Sequence, residues 1–310
     1  MATRAGKLTT ADVVRRNLHK KTFDARSLAF EAALILMLLL SLAILITLLA
    51  DVARTGLEVL SERGTDFVQT GLSPIASRAG VFQGIVGSFL MMAFVGLIAF
   101  PMGIGAAVYL EEYATDNRLT RIIDVNIRNL AGVPSVVYGI LGLAVFVEAL
   151  GGATGGRSII SGGLTLAILV LPIVIITSAE ALRAVPSSIR EAGFGVGATR
   201  WEVVRSHVLP SAAPGILTGT ILALSRALGE TAPLLLVGAV TGFFTSGDQT
   251  LVEQLRGDFV SLPTIIFSWA RQPDTDFQAL TSAAIIVLLV VILLANAAAI
   301  ILRNRYERKW

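Results

Sequence analysis

The apolar run over residues 28–52 is the feature that most narrows what this chain can fold into. At about 1.5 Å per helical residue it is long enough to cross a hydrocarbon core of roughly 30 Å. It exceeds the roughly 7–15 residues of a cleavable signal core, and no A-x-A-like site follows it, so a retained first span is expected. Five further blocks cover residues 81–110, 127–150, 159–182, 213–240 and 280–302. Among the 310 residues, 54% are hydrophobic and 15% charged. The apolar ones fall in blocks rather than in the alternating strands or amphipathic helices of a soluble core. The expectation is an all-α membrane protein of about six transmembrane helices.

Basic residues set the orientation. Arg4, Lys7, Arg15, Arg16, Lys20, Lys21 and Arg26 precede the first block, and Arg303, Arg305, Arg308 and Lys309 follow the last. Positive flanks stay in the cytoplasm, so both termini are expected inside, and six spans satisfy that. Eighteen Lys and Arg residues then face the cytoplasm and six face outward, with Arg226 inside a span. The layout is a basic cytoplasmic tail over 1–27, a transmembrane domain over 28–302 and a short cytoplasmic tail over 303–310. Its largest cytoplasmic loop is 183–212. The net charge of +3 reflects this topology and does not argue for a nucleic-acid partner.

Several chemistries drop out early. The chain has no cysteine, and its two histidines, His19 and His207, form no HExxH pair, so neither disulfides, a metal site nor a zinc hydrolase is expected. The stretch 151–158, GGATGGRS, imitates a phosphate loop with Arg for Lys. It follows no soluble strand and lies between two spans, where a flexible external turn is the simpler reading. No cofactor is expected.

The loop over 183–212 carries the most information. Pro186, Ser187 and Ser188 can open a helix, and Gly193, Gly195 and Gly197 interrupt it before a second helical stretch. In that stretch Trp201, Val204 and Val208 share helical spacing, with Arg200, Glu202 and Arg205 elsewhere on the surface. An amphipathic linker parked at the membrane interface would read the same way. The pattern also resembles the EAA loop of ABC importer permeases, E-A-A-x3-G-x9-I-x-L-P, with Glu191, Ala192, Gly197, Leu209 and Pro210 in register. Gly193 stands where Ala is usual and His207 where Ile is common. The resemblance implies the fold of a type I ABC importer permease, and a loop that docks into a cleft on a separate ATPase subunit.

Further stretches are similar to PstA-type permeases of the phosphate-specific ABC transporter. They are GIVGSFLMMAFVGLIAFPMGIGAAVYLEEYA, AGVPSVVYGILGL, LSRALGETAPLLLVG and SLPTIIFSWA. One departure is Ile176, where many members carry Arg. The resemblance implies a multi-pass permease subunit of a bacterial or archaeal cell membrane that translocates inorganic phosphate and has no ATPase activity of its own. Implied partners are a second, PstC-type permease, a cytoplasmic PstB-type ATPase dimer, a PstS-type phosphate-binding protein outside and membrane lipid. A permease for molybdate or sulfate, or a secondary ion-coupled carrier, are the alternatives.

Independently of any family, Arg226 and Glu230 lie four residues apart on one face of the fifth block. An Arg at the centre of a span costs roughly 2.5–3.5 kcal/mol on insertion scales, so it is expected to face the bundle or a wet cavity. One reading is a buried structural ion pair. The other is an anion pathway, with the guanidinium fork binding oxyanion oxygens and Glu230 holding it between substrates; the resemblance implies transport roles for both positions. The segment 261–270 is apolar but too short to span, and a re-entrant or surface helix is expected there. Glu111, Glu112, Asp116 and Asp124 read as a solvated acidic loop.

Overall fold

In a computed structural model of the chain, residues 25–239 and 255–306 are described. Residues 1–24 of the expected basic tail, the end of the fifth block beyond residue 239 and the last four residues lie outside them, and residues 25–27 of that tail already belong to the first helix. The chain separates into two units, residues 1–51 and 52–310. The first unit holds most of helix α1 (Ala25–Arg63), whose apolar side chains from Leu28 to Leu49 are exposed, as a lipid-facing span requires.

Among its described residues the second unit consists of helices joined by short turns and extended links, with no strand. Its long helices are α2 (Phe82–Tyr113), α5 (Ile159–Arg183), α7 (Arg200–Gly229) and α10 (Thr275–Tyr306). Between them lie α3 (Arg118–Ala131), α4 (residues 135–149), α6 (Ser187–Gly195), α8 (Ala232–Val237) and α9 (Leu262–Ala270). Among the described residues, five helices are long and apolar enough to cross a membrane, and six if the bent pair α3 and α4 counts as one span.

Helix α5 is the centre of the bundle, with buried residues on every turn from Ile159 to Leu182. Small residues let its neighbours approach. A Cβ on Gly103 of α2 would lie 2.7 Å from Val174, and one on Gly215 of α7 would lie 2.7 Å from the Ala181 methyl. Such close backbone approach is how helices gain van der Waals contact where lipid supplies no hydrophobic drive. In α2, a π-helical turn over Val95–Ala99 sits just before Pro101, whose missing N–H and bulky ring disturb the regular hydrogen-bond ladder.

Two of the expected spans differ from a straight helix. The block over 127–150 straddles a 101° bend between α3 and α4. Pro134 has no N–H to give and pushes Val133 out of helical geometry, so the chain turns there. Asn117 starts α3 by accepting from the Thr120 N–H at 2.9 Å. The block over 213–240 belongs to a helix that begins earlier, at Arg200, and stops at Gly229. Glu230 is extended, with φ −74° and ψ 122°, and α8 starts afresh at Ala232. Pro233 is again the cause, since it cannot donate to the Gly229 carbonyl and its ring clashes there.

The short segment 261–270 forms a packing helix. Its residues Leu262, Ile265 and Trp269 are buried, and the Leu262 N–H donates to Ser88 Oγ of α2 at 3.0 Å. Trp269 sits between the Phe67 and Phe277 rings, 6.3 and 5.9 Å away, a spacing that favours tilted aromatic contact.

Candidate functional site

The loop between α5 and α7 folds as a hinged helix pair. Helix α6 begins after Pro186 and ends in a turn where Gly197 adopts φ +84°. The Gly197 N–H donates to the Phe194 carbonyl at 3.0 Å, and the Ala198 N–H donates to the Gly193 carbonyl at 3.2 Å. An L side chain resists that left-handed backbone, so glycine fits the position. Helix α7 then opens with a capping box: Thr199 Oγ1 accepts from the Glu202 N–H, and Glu202 accepts from the Thr199 N–H at 2.8 Å.

Glu191, Ala192 and Gly197 are exposed on this pair, Leu209 is half-buried and Pro210 is exposed. Val204 and Val208 face inward, but Trp201, which shares their spacing in sequence, is 56% exposed. Val203 takes the inward place, because a π-helical turn over Val204–Val208 shifts the register. Gly193 explains its own departure from Ala: a Cβ there would lie 2.7 Å from Val203 Cγ2. His207 is exposed, so the common Ile would not be buried here either. Phe194, Val196 and Trp201 form an exposed apolar edge.

Sequence reasoning missed what anchors this loop. Glu112 accepts from Arg190 Nη2 at 2.6 Å, while the same guanidinium donates to the Val185 carbonyl at 2.8 Å and the Leu182 carbonyl at 3.0 Å. Glu111 accepts from Arg183 Nε at 2.8 Å, and the Arg200 guanidinium lies 5.8 Å from the Tyr113 ring centre. The end of α2 therefore grips both the end of α5 and the start of α6. Partners 72 and 78 residues apart leave no local signal in the sequence.

The second set of residues gathers where α7 breaks. Arg226 is in the last turn of α7, not at the middle of an unbroken helix as the hydropathy block suggests, and Glu230 is the first residue beyond it. Arg226 Nε donates to Glu230 Oε1 at 3.4 Å, a long bond. The Arg226 side chain is 48% exposed and that of Glu230 17%. The pair is therefore loosely made and half open, unlike a sealed structural ion pair.

Neighbours hold the break in place. Helix α8 packs on α4, where a Cβ on Gly139 would lie 2.7 Å from Pro233 Cα. Tyr138, the residue before, donates to the Leu130 carbonyl at 2.9 Å across the bend between α3 and α4. On the other side of α7, Ser225 donates to Asn296 Oδ1 of α10 at 2.6 Å. Two interrupted helices thus meet beside a charged pair. Backbone irregularity of this kind at membrane depth is tolerated where it is packed in protein or lines a wet cavity.

A family profile of binding-protein-dependent transport system inner membrane components matches residues 99–308, a stretch that contains both residue sets. The chain belongs to that family. Among relatives, the probable ABC transporter permease protein YqgI of Bacillus subtilis is 37% identical over 64% of this chain and 66% of its own length. The phosphate transport system permease protein PstA of Pasteurella multocida is 34% identical over 66% of this chain and 70% of its own. The matched stretch thus spans just under two thirds of the Bacillus protein. A bacterial ABC transporter that imports the acidic polysaccharide alginate shares the fold, with TM-score 0.61 at 14% identity over 91% of this chain and 99% of that one.

In this family member, the fold is that of a type I ABC importer permease and the protein is a multi-pass membrane component. Among the described residues, no group of His, Asp and Glu is arranged to hold a metal.

Proposed function

We propose that this chain is the PstA-type permease subunit of an ATP-driven importer of inorganic phosphate. The observation that carries the reading is the half-open Arg226–Glu230 pair at the break between α7 and α8, in a chain similar to phosphate permeases. A guanidinium offers an oxyanion a planar fork of donors, and a carboxylate 3.4 Å away can hold that fork until substrate displaces it. The Ile176 side chain supplies no charge in α5, so the anion-binding role at the break between α7 and α8 falls to Arg226 in this reading.

The loop bearing Glu191, Ala192, Gly197, Leu209 and Pro210 couples to a PstB-type ATPase dimer in the cytoplasm. A PstC-type permease supplies the other half of the pathway, and a PstS-type binding protein delivers phosphate outside. Closure of the ATPase dimer moves the loop as a lever, and the pathway opens to one side and then the other. The expected location is the cell membrane of a bacterium or archaeon, with both termini inside.

The test is transport by the complex that co-purifies with this chain, reconstituted in vesicles. Phosphate uptake driven by ATP, with hydrolysis rising when loaded binding protein is added, is the expected result. Uptake of molybdate or sulfate in preference to phosphate, or uptake driven by a proton or sodium gradient without ATP, contradicts it.

A further inference from the structure

The turn imitating a phosphate loop has a different use. It is ordered by its own hydroxyls: Thr154 donates to the Phe146 carbonyl at 2.7 Å, Ser158 to the Thr154 carbonyl at 2.7 Å and Ser161 to the Gly156 carbonyl at 2.6 Å. Gly155 and Gly156 both have positive φ, 89° and 74°, which lets the chain reverse tightly before α5. Arg157 is the next residue, so its backbone is held firmly.

The Arg157 side chain reaches back to α8. Gly238 caps that helix with φ +100°, and a Cβ on it would lie 2.6 Å from Arg157 Cδ and 2.7 Å from Cγ. The aliphatic stem therefore lies across the end of α8, and the residue as a whole is exposed. Among the described residues no carboxylate or carbonyl pairs with its guanidinium. Arg256, beside the same turn, differs, because it donates to the Ala153 carbonyl at 2.9 Å.

Helix α8 has six residues, about 9 Å at the usual rise. Arg226 and Glu230 stand just before its first residue, and Arg157 lies across its last. Two arginines thus mark the two ends of one short helix, one loosely paired and one without a partner among the described residues. An unpaired guanidinium held by its stem attracts anions without first breaking an ion pair.

We propose that Arg157 is a second, outer ligand for the oxyanion, which it holds at the far end of α8 before the anion reaches Arg226. This rests on the phosphate-import reading above. Its consequence is retention: when substrate is released to the permease, Arg157 keeps it from escaping while the pathway turns over.

The experiment uses the assembled transporter in vesicles and measures phosphate taken up and ATP hydrolysed together. Arg157→Met keeps the stem against Gly238 and removes the charge. It is expected to lower phosphate transported per ATP about fivefold, the scale of one solvent-exposed charge contact, with hydrolysis and assembly unchanged. Arg157→Lys keeps the positive charge on which the proposed attraction depends and is expected to stay within about twofold of the parent. An active parent with Arg157→Met matching it in phosphate per ATP overturns this inference alone. A parent that transports no phosphate overturns the import reading and this inference with it.

Discussion

Arg190 and Glu112 tie the loop before α7 to the end of α2 through a contact at 2.6 Å, with 23% and 8% of their side chains exposed. The same guanidinium donates to the carbonyls of Leu182 and Val185 at the end of α5. Such groups at a helix end have no partner within the helix and require one outside it. One side chain thus serves three elements that must move as a unit if the loop transmits force.

Replacing Glu112 by Gln tests that link. The neutral amide accepts a hydrogen bond but leaves the Arg190 charge without its counter-ion. A loss of about 2 kcal/mol is expected, below the 3–5 kcal/mol typical of a fully buried pair because Arg190 is partly solvated. Thermal unfolding of the purified protein measures it. Arg121 and Asp116, paired at 3.3 Å but 73% and 86% exposed, serve as the control, where Asp116→Asn is expected to change little.

The Gly193–Val203 contact predicts a dependence between two positions. Gly193→Ala places a methyl 2.7 Å from Val203 Cγ2, and a Val side chain has little rotamer freedom to yield. The single variant is expected to lose about 1–2 kcal/mol, in the range of overpacking. Combining it with Val203→Ala is expected to recover more than additivity allows, a coupling that a double-mutant cycle in thermal unfolding reads directly.

At Gly197 the constraint is conformational. A Cβ there meets no atom within 4 Å, yet φ is +84°. Gly197→Asn is therefore expected to retain coupling between hydrolysis and uptake, because Asn tolerates the left-handed region. Gly197→Val is expected to lose it, with membrane insertion intact. Equal coupling in the two variants, measured as uptake per ATP, contradicts the assigned hinge.

Much of this fold is legible in the sequence. The apolar blocks located α1, α2, α5 and α10 because a span needs about twenty apolar residues whatever its neighbours are. Hydropathy alone passes over the bends at Val133–Pro134 and at Glu230, because it averages over single residues, but Pro134 and Pro233 mark in the sequence where a helix kinks or is interrupted. Glu111 and Glu112 read as a solvated loop because their partners Arg183 and Arg190 are brought near by folding alone. The inward place of Val203 instead of Trp201 was hidden for a related reason. A π-helical turn has no signature in a 3.6-residue pattern.

The charged pair was visible from its i, i+4 spacing, but its character was not. Spacing on one helix suggests a compact ion pair. Only the break after Gly229 shows why Arg226 and Glu230 are 3.4 Å apart and half open.

The double variant Arg226→Gln with Glu230→Gln isolates the role of Arg226 as an anion ligand. With both charges removed, no unpaired charge is left in the membrane to prevent assembly. The measurement is phosphate uptake by the assembled complex in vesicles. The variant complex is expected to assemble, to hydrolyse ATP and to take up no phosphate above background. Uptake close to the parent's contradicts that role and leaves Arg226 and Glu230 as a structural pair.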